Sequence, residues 1–195
     1  RFLPVSWARK MCIRDSDRGI RQSRLYAISA GIGFDALVCE LALHAKLKTF
    51  LNRIGLGKLV YLILTVKSMR ALQVQDAYIE FEGGESYELK DMVFAAAMNQ
   101  PYEGGGVPMA PDAKNDDGLL SVIFVEDIPK KKMPRMLLRL LLKKHKKIQG
   151  LRLKDTKSVR IHSDTPLVVH SDGEFCGYRT DIRFEAEKGK LRILC

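Results

Sequence analysis

The sequence predicts an α+β fold, mainly an antiparallel β-sandwich with two or three helices packed at one side. Three observations predict it. Two stretches of helical periodicity lie together between about residues 35 and 72. Short alternating or continuous apolar runs dominate most of the remainder. Everything beyond residue 158 carries strand signals only. Helices grouped apart from runs of strands favour this class over an alternating parallel one. With 195 residues, 46% hydrophobic and 29% charged, the chain suits one globular domain with a real core.

The elements follow in order. Leu25 to Ala30 reads as a strand leading into the Gly31-Ile32-Gly33 turn, and Asp35 to Asn52 as a helix with Leu37, Leu41, Leu47 and Leu51 near one face. Gly55 and Gly57 punctuate it, and a second helix covers about Lys58 to Leu72. Tyr78 to Glu82 alternates, Gly83-Gly84 makes a hairpin turn, and Met92 to Met98 is a continuous apolar run typical of a buried strand. Asn99 to Gly118 is a loop rich in Gly, Pro, Asn and Asp, followed by a strand at Leu119 to Val125. The steps of three and four among Met133, Met136, Leu137, Leu140, Leu141 and Ile148 predict a helix from about Pro129 to Lys147. Arg135, Arg139 and Lys143 lie four apart on another face of it. Ser158 to His162, Pro166 to His170, Thr180 to Glu185 and Leu191 to Leu194 read as strands.

Net charge is +10, which favours polyanions such as nucleic acid, nucleotide phosphates or an anionic membrane surface. The chain shows no aromatic-basic recognition motif and no helix-turn-helix, which argues against nucleic acid. Cys12, Cys39, Cys176 and Cys195 form no C-x-x-C pair, so neither a disulfide nor a zinc framework is expected, and a cytoplasmic setting is. His44, His145, His162 and His170 show no metal-ligand spacing, and a strand histidine such as His170 reads as structural. The longest apolar stretch, Leu59 to Val66, falls far short of the roughly 20 residues that span a bilayer.

The first residues, 1–18, are read as a non-native or disordered tail. Met11 to Ser16 matches the translation of a transposon-end sequencing adaptor, and Val5 to Arg9 its neighbouring sequence. The natural sequence is then expected to begin near Asp17, with one domain over 19–195.

Three segments could carry chemistry. Gly31-Ile-Gly33-Phe-Asp-Ala36 matches the G-x-G-x-x-[G/A] dinucleotide pattern. A Rossmann unit needs a second parallel strand within about 30 residues, and two helices stand there instead. The glycines then serve a tight turn, with Asp35 capping or held in a buried hydrogen bond. In the second segment, Gly104, Gly105 and Gly106 free the backbone for close approach. There Asp117-Gly118-Leu119 could turn one carboxylate and nearby carbonyls onto a cation such as Mg²⁺, though a plain surface turn has the same spacing. In the third, His170-Ser-Asp-Gly-Glu174, a strand runs into a tight turn bearing two carboxylates, either of which could accept a proton from a substrate hydroxyl.

Taken together, Tyr26-Ala-Ile-Ser-Ala-Gly-Ile-Gly-Phe-Asp-Ala36, Ala95-Ala-Ala-Met-Asn-Gln-Pro-Tyr-Glu-Gly-Gly-Gly106, Ala110-Pro-Asp-Ala113, Asp117-Gly-Leu119 and His170-Ser-Asp-Gly-Glu174 stand in this order. The series resembles the C-terminal domain of the bacterial diacylglycerol kinase and YegS-like lipid kinase family, over roughly Arg21 to Cys195. The resemblance implies a β-sandwich facing an N-terminal α/β domain whose G-G-D-G-T loop binds ATP. It implies Glu174 as general base, with Asp172 shaping the turn or assisting through water. It further implies Mg²⁺ held by the Asp117 side chain and the backbone oxygens of Lys114 and Leu119.

No G-G-D-G-T stands in this chain, so the fragment by itself is expected to be inactive and the parent to be the kinase. The implied partners are a lipid substrate and, peripherally, the inner face of an anionic membrane, with Arg135, Arg139 and Lys143 as candidate contacts. A homodimer is compatible with the sequence. The competing reading is a non-catalytic membrane- or lipid-binding module that shares the fold.

Overall fold

The computed structural model of the chain describes residues 6–14, 21–43, 57–103 and 106–191. The main sheet runs β10 (Leu151–Thr156), β9 (Leu120–Val125), β6 (Phe94–Met98), β3 (Ser29–Gly33), β11 (Ser158–Ser171), β12 (Glu174–Leu191), β1 (Ser6–Arg14) and β2 (Arg21–Tyr26). Each of these pairings is antiparallel. A hairpin of β4 (Gln75–Phe81) and β5 (Ser86–Met92) joins it through β4.

Strand β11 ties the two leaves of the sandwich together. Its first part, Val159 to Ser163, pairs with β4, and its last part, Val169 to Ser171, pairs with β3. Between these parts the register with β12 shifts, from His162 to Leu167. Pro166 stands in that irregularity, where its missing N–H breaks no regular ladder.

The burial pattern follows from two covered faces. In β6 every residue is buried. Ala95 and Ala97 point into the sandwich core with Ile79, Phe81, Val169 and Phe184. Phe94, Ala96 and Met98 point the other way, under the helices, with Phe34, Met69, Met136 and Leu140. A strand covered on both faces reads as a continuous apolar run rather than an alternation. Strand β9 is built likewise. Over this outer face lie α1 (Phe34–Leu43), α2 (Gly57–Ala71) and α3 (Met133–Leu141). None of the described helices is long and apolar enough to cross a membrane.

The α+β class and the antiparallel sandwich hold, and several boundaries move. The strand expected to run unbroken into the glycine turn is two strands, β2 and β3, bent at Ala27-Ile28. The paired runs at Ser158 and Pro166 merge into β11, the run at Thr180 to Glu185 lies within β12, and residues 192–194 of the last expected strand lie outside the described residues. Residues 44–52 of the first expected helix lie outside the described residues. Residues 6–14, expected within a tail, form a strand in which Arg9 and Met11 are fully buried. An arginine at an inward position hides the alternation there.

The helix expected from Pro129 to Lys147 is also broken. A 3-10 turn at Lys130–Lys132 precedes α3, and another at His145–Lys147 follows it. Lys144 N–H donates to Arg139 O and Lys143 N–H to Leu140 O, with Lys143 at φ 55°. This is a Schellman stop with lysine in the left-handed position that glycine ordinarily takes. Lys143 therefore leaves the helix, and Arg135, Arg139 and Lys143 do not share one helical face. Leu141, expected on the buried face, is exposed, and His145 is buried in the segment that follows.

Candidate active site

The H-S-D-G-E segment turns between β11 and β12. Asp172 and Gly173 both take positive φ, 50° and 80°. The Asp172 carboxylate accepts hydrogen bonds from the backbone N–H groups of Ala27 (2.9 Å), Ile28 (2.8 Å) and Ser29 (3.1 Å), and its own N–H donates to Ser29 O. Asp172 therefore fastens its turn to the β2–β3 bend, satisfying donors that no strand partner reaches. Asn99 secures the same bend, with its side chain donating to Ala27 O and its N–H to Ile28 O. Glu174, the first residue of β12, points outward. Its side chain is 67% exposed and is ion-paired with Arg24 on β2.

The Asp117 loop lies beside β1. Asp117 Oδ1 accepts the Leu119 N–H at 2.9 Å, and Gly118 turns at φ 78°. Leu119 O accepts from the Arg9 guanidinium at 2.5 Å. Arg9 is fully buried, and burial pulls its pKa down, with the nearby Asp117 carboxylate opposing that. Lys114 is exposed. Gly106 has φ 105° and open space around it, while Gly104 and Gly105 lie outside the described residues.

A buried cluster lies directly behind the D-G-E turn. His170 Nε2 is 3.0 Å from Asp35 Oδ2 and 3.3 Å from Glu103 Oε1. Ser29 Oγ donates to Glu103 Oε1 at 2.8 Å, so Ser29 joins this cluster to the Asp172 turn. Burial raises the Glu103 pKa above its ordinary value, partly offset by His170. Burial opposes the charged form of His170, but Asp35, Glu103 and Asp172 outweigh it and raise its pKa to about 9. Asp35 also accepts the N–H of Ala36 at the start of α1.

The first glycine of the G-x-G pattern now has a reason. A Cβ on Gly31 would fall 2.1 Å from Asp35 Oδ2 and 2.8 Å from His170 Nε2. Gly33 has φ 99°, and a Cβ there would meet Val93 O at 2.6 Å. Strand β3 pairs antiparallel on both sides, with β6 and with β11, so no dinucleotide crevice is built here.

A cavity of about 120 Å³ is lined by two members of this cluster, Asp35 and Glu103. Phe34, Val38, Phe94, Met109, Met136 and Leu140 are among its apolar walls. The cationic candidates lie elsewhere. Arg135 is exposed, the Arg139 guanidinium donates to Lys147 O at 2.6 Å, and Lys143 Nζ donates to the Tyr102 hydroxyl at 2.9 Å.

Residues 28–195 match the family described as the YegS C-terminal NAD kinase beta sandwich-like domain. The chain belongs to that family. A Bacillus subtilis relative bearing the name "Putative lipid kinase YtlR" is 29% identical over 163 residues, covering 84% of this chain and 52% of that protein. A Staphylococcus saprophyticus diacylglycerol kinase is 25% identical over 161 residues, covering 83% and 50%. The chain thus spans about half the length of the curated relatives it matches. A Bacillus anthracis crystal structure, described as that of a putative diacylglycerol kinase, superposes with a TM-score of 0.64 at 19% identity. It covers 98% of this chain and 56% of the other, and shows a shared fold.

Within this YegS C-terminal fold, Asp172, Asp35, Glu103 and His170 meet around Ser29. The sequence singled out Asp172, placed Asp35 as a cap or in a buried hydrogen bond, read His170 as structural and gave Glu103 no role. The last three positions span 135 residues: the pairing of β11 with β3 brings His170 to Asp35, and a separate two-stranded ribbon carries Glu103. One signal was available: Glu103 and His170 both lie inside segments of the motif series, Ala95 to Gly106 and His170 to Glu174, and His170 is a polar residue at the end of an otherwise apolar strand run.

Proposed function

We propose that this chain is the acceptor-side half of an ATP-dependent lipid kinase, which transfers the γ-phosphate to the hydroxyl of diacylglycerol or a similar lipid alcohol. The relatives named lipid kinase and diacylglycerol kinase support the class. The observation that carries the reading is Glu174, an outward carboxylate at a turn that Asp172 locks to the neighbouring strands. Phosphoryl transfer is chiefly a matter of alignment and charge neutralisation. In this mechanism Glu174 takes the proton of the lipid hydroxyl as its oxygen bonds to the γ-phosphorus and the bond to ADP breaks. Asp172 holds the turn and Arg24 steadies the Glu174 side chain.

The Asp117 loop offers carboxylate and carbonyl oxygens, the donor types Mg²⁺ takes. Asp117 and the backbone oxygens of Lys114 and Leu119 would hold it. Bound there, the ion would supply positive charge that orders the loop. Arg9 already brings a cation to Leu119 O, so the two compete for that oxygen.

The proposed partner surface is an anionic bilayer, visited peripherally at the inner face of the membrane. Between Asp127 and Asp155 no acidic residue interrupts the Lys and Arg positions. Leu138, Leu141 and Leu142 stand 55%, 47% and 53% exposed among them. Exposed leucines inside a cationic rim match the chemistry of a headgroup boundary.

The test is γ-phosphate transfer to a panel of lipid alcohols by the full-length parent and by its Glu174→Gln variant. Turnover is expected to fall roughly 10²- to 10⁴-fold with the thermal midpoint unchanged. Undiminished turnover in the variant would remove Glu174 from the mechanism. The 195-residue chain alone is expected to leave every lipid unphosphorylated.

A further inference from the structure

The Asp35–Glu103–His170 cluster has no part in the proton transfer just described, yet its composition and spacing are those of a ligand set. We propose that Asp35, Glu103 and His170 bind one divalent transition-metal ion, of which Zn²⁺ is the probe, beside the apolar cavity that the two acids line. Metal–ligand bonds of about 2.0–2.1 Å to imidazole and carboxylate set neighbouring donors of a tetrahedron roughly 3.3 Å apart. Here the imidazole nitrogen stands 3.0 Å and 3.3 Å from the two carboxylates, close to that spacing. One donor atom from each residue lies within 4.8 Å of the others.

Four further features fit an ion. Glu103 Oε2 is buried without a hydrogen-bond partner, leaving an acceptor that faces no donor. Two carboxylates set in an apolar wall need positive charge close by, and a dication beside a neutral imidazole supplies it. Orientation from outside the set is present for both acids. Ser29 Oγ holds Glu103, and the Ala36 N–H holds Asp35, as outer partners hold the ligands of metal centres. Finally, Gly31 keeps clear the space between Asp35 and His170 that any side chain would enter. The cavity supplies the fourth position, open to water or to an oxygen of a bound molecule. This site differs in kind from the all-oxygen Asp117 loop, and it does not rest on the kinase reading.

The experiment uses the purified chain, stripped with a chelator and titrated with Zn²⁺ in a calorimeter, with bound metal counted by mass spectrometry. One equivalent is expected. His170→Ala and Glu103→Gln should each weaken binding by more than about 100-fold, while Glu82→Gln, at an exposed position away from the cluster, leaves it unchanged. Circular dichroism checks that each variant is folded. Absence of stoichiometric binding, or full binding retained by both folded variants, overturns the proposal. Should a variant fail to fold, X-ray absorption on the zinc-loaded wild type decides. One imidazole with oxygen donors supports the site, whereas a sulfur shell near 2.3 Å or several imidazoles places the ion elsewhere and ends the idea.

Discussion

Gly31 and Gly33 occupy neighbouring places in one motif but are required for different reasons. At Gly31 the obstacle is the tip of two side chains, Asp35 Oδ2 and His170 Nε2. At Gly33 it is the backbone oxygen of Val93, combined with a φ of 99° that L-residues resist. Side-chain ends can give way, and a paired strand cannot. Gly31→Ala is therefore expected to cost about 1–3 kcal/mol, the range of a crowded core, and to push Asp35 and His170 apart. Gly33→Ala should cost more. Chemical denaturation of both variants checks the order, and equal losses would show that the buried cluster is as stiff as the strand beside it. The two glycines and the acid after them were legible in the sequence as a tight turn with a hydrogen-bonded Asp35. The His170 partner was not, because nothing local to residue 35 points to residue 170.

Helix α3 shows how an element's end can decide what its surface does. The apolar spacing foretold a helix with Met133, Met136 and Leu140 inward, and these are buried. It did not foretell the stop after Leu141, because the left-handed residue is Lys143 rather than the glycine or asparagine that ordinarily marks one. The stop leaves Leu138, Leu141 and Leu142 exposed beside lysines. Replacing these three leucines with glutamine is expected to weaken binding to vesicles rich in anionic lipid at least about 10-fold. Each leucine moved out of water contributes on the order of 1 kcal/mol or more. Neutral vesicles should bind weakly in both cases. Co-sedimentation measures it, and unchanged binding to anionic vesicles would show that these leucines do not enter the bilayer.

At the scale of the whole molecule, the buried cluster joins three layers. Asp35 comes from α1, Glu103 from the short ribbon strand β7 (Tyr102–Glu103), and His170 from the central strand β11. In the chelator-treated chain the positive charge there is a proton on His170. Its pKa rises from 6.5 in the unfolded chain to about 9 in the folded one. A group bound more tightly to its proton when folded stabilises the fold fully below its unfolded pKa. That contribution disappears as pH rises through the folded value. Glu103, whose pKa is also raised, acts in the same direction. Stability should therefore decline between pH 6.5 and 9, by on the order of 3 kcal/mol from His170. A flat denaturation profile over that window, or an equal slope in His170→Gln, would show that the imidazole is neutral in the fold.

The α+β class, the family and the two turns that carry Glu174 and Asp117 could be read along the chain, because each is written in short-range patterns. Alternation marks β4 (Gln75–Phe81), a continuous apolar run marks β6 (Phe94–Met98), and the ordered motifs mark the family. Folding was needed to reveal that Asp172 clasps the bend at Ala27-Ile28, that Arg9 reaches Leu119 O, and that Asp35, Glu103 and His170 form one cluster. Those contacts join positions more than sixty residues apart through strand register, and register depends on how whole faces bury rather than on any neighbouring residue.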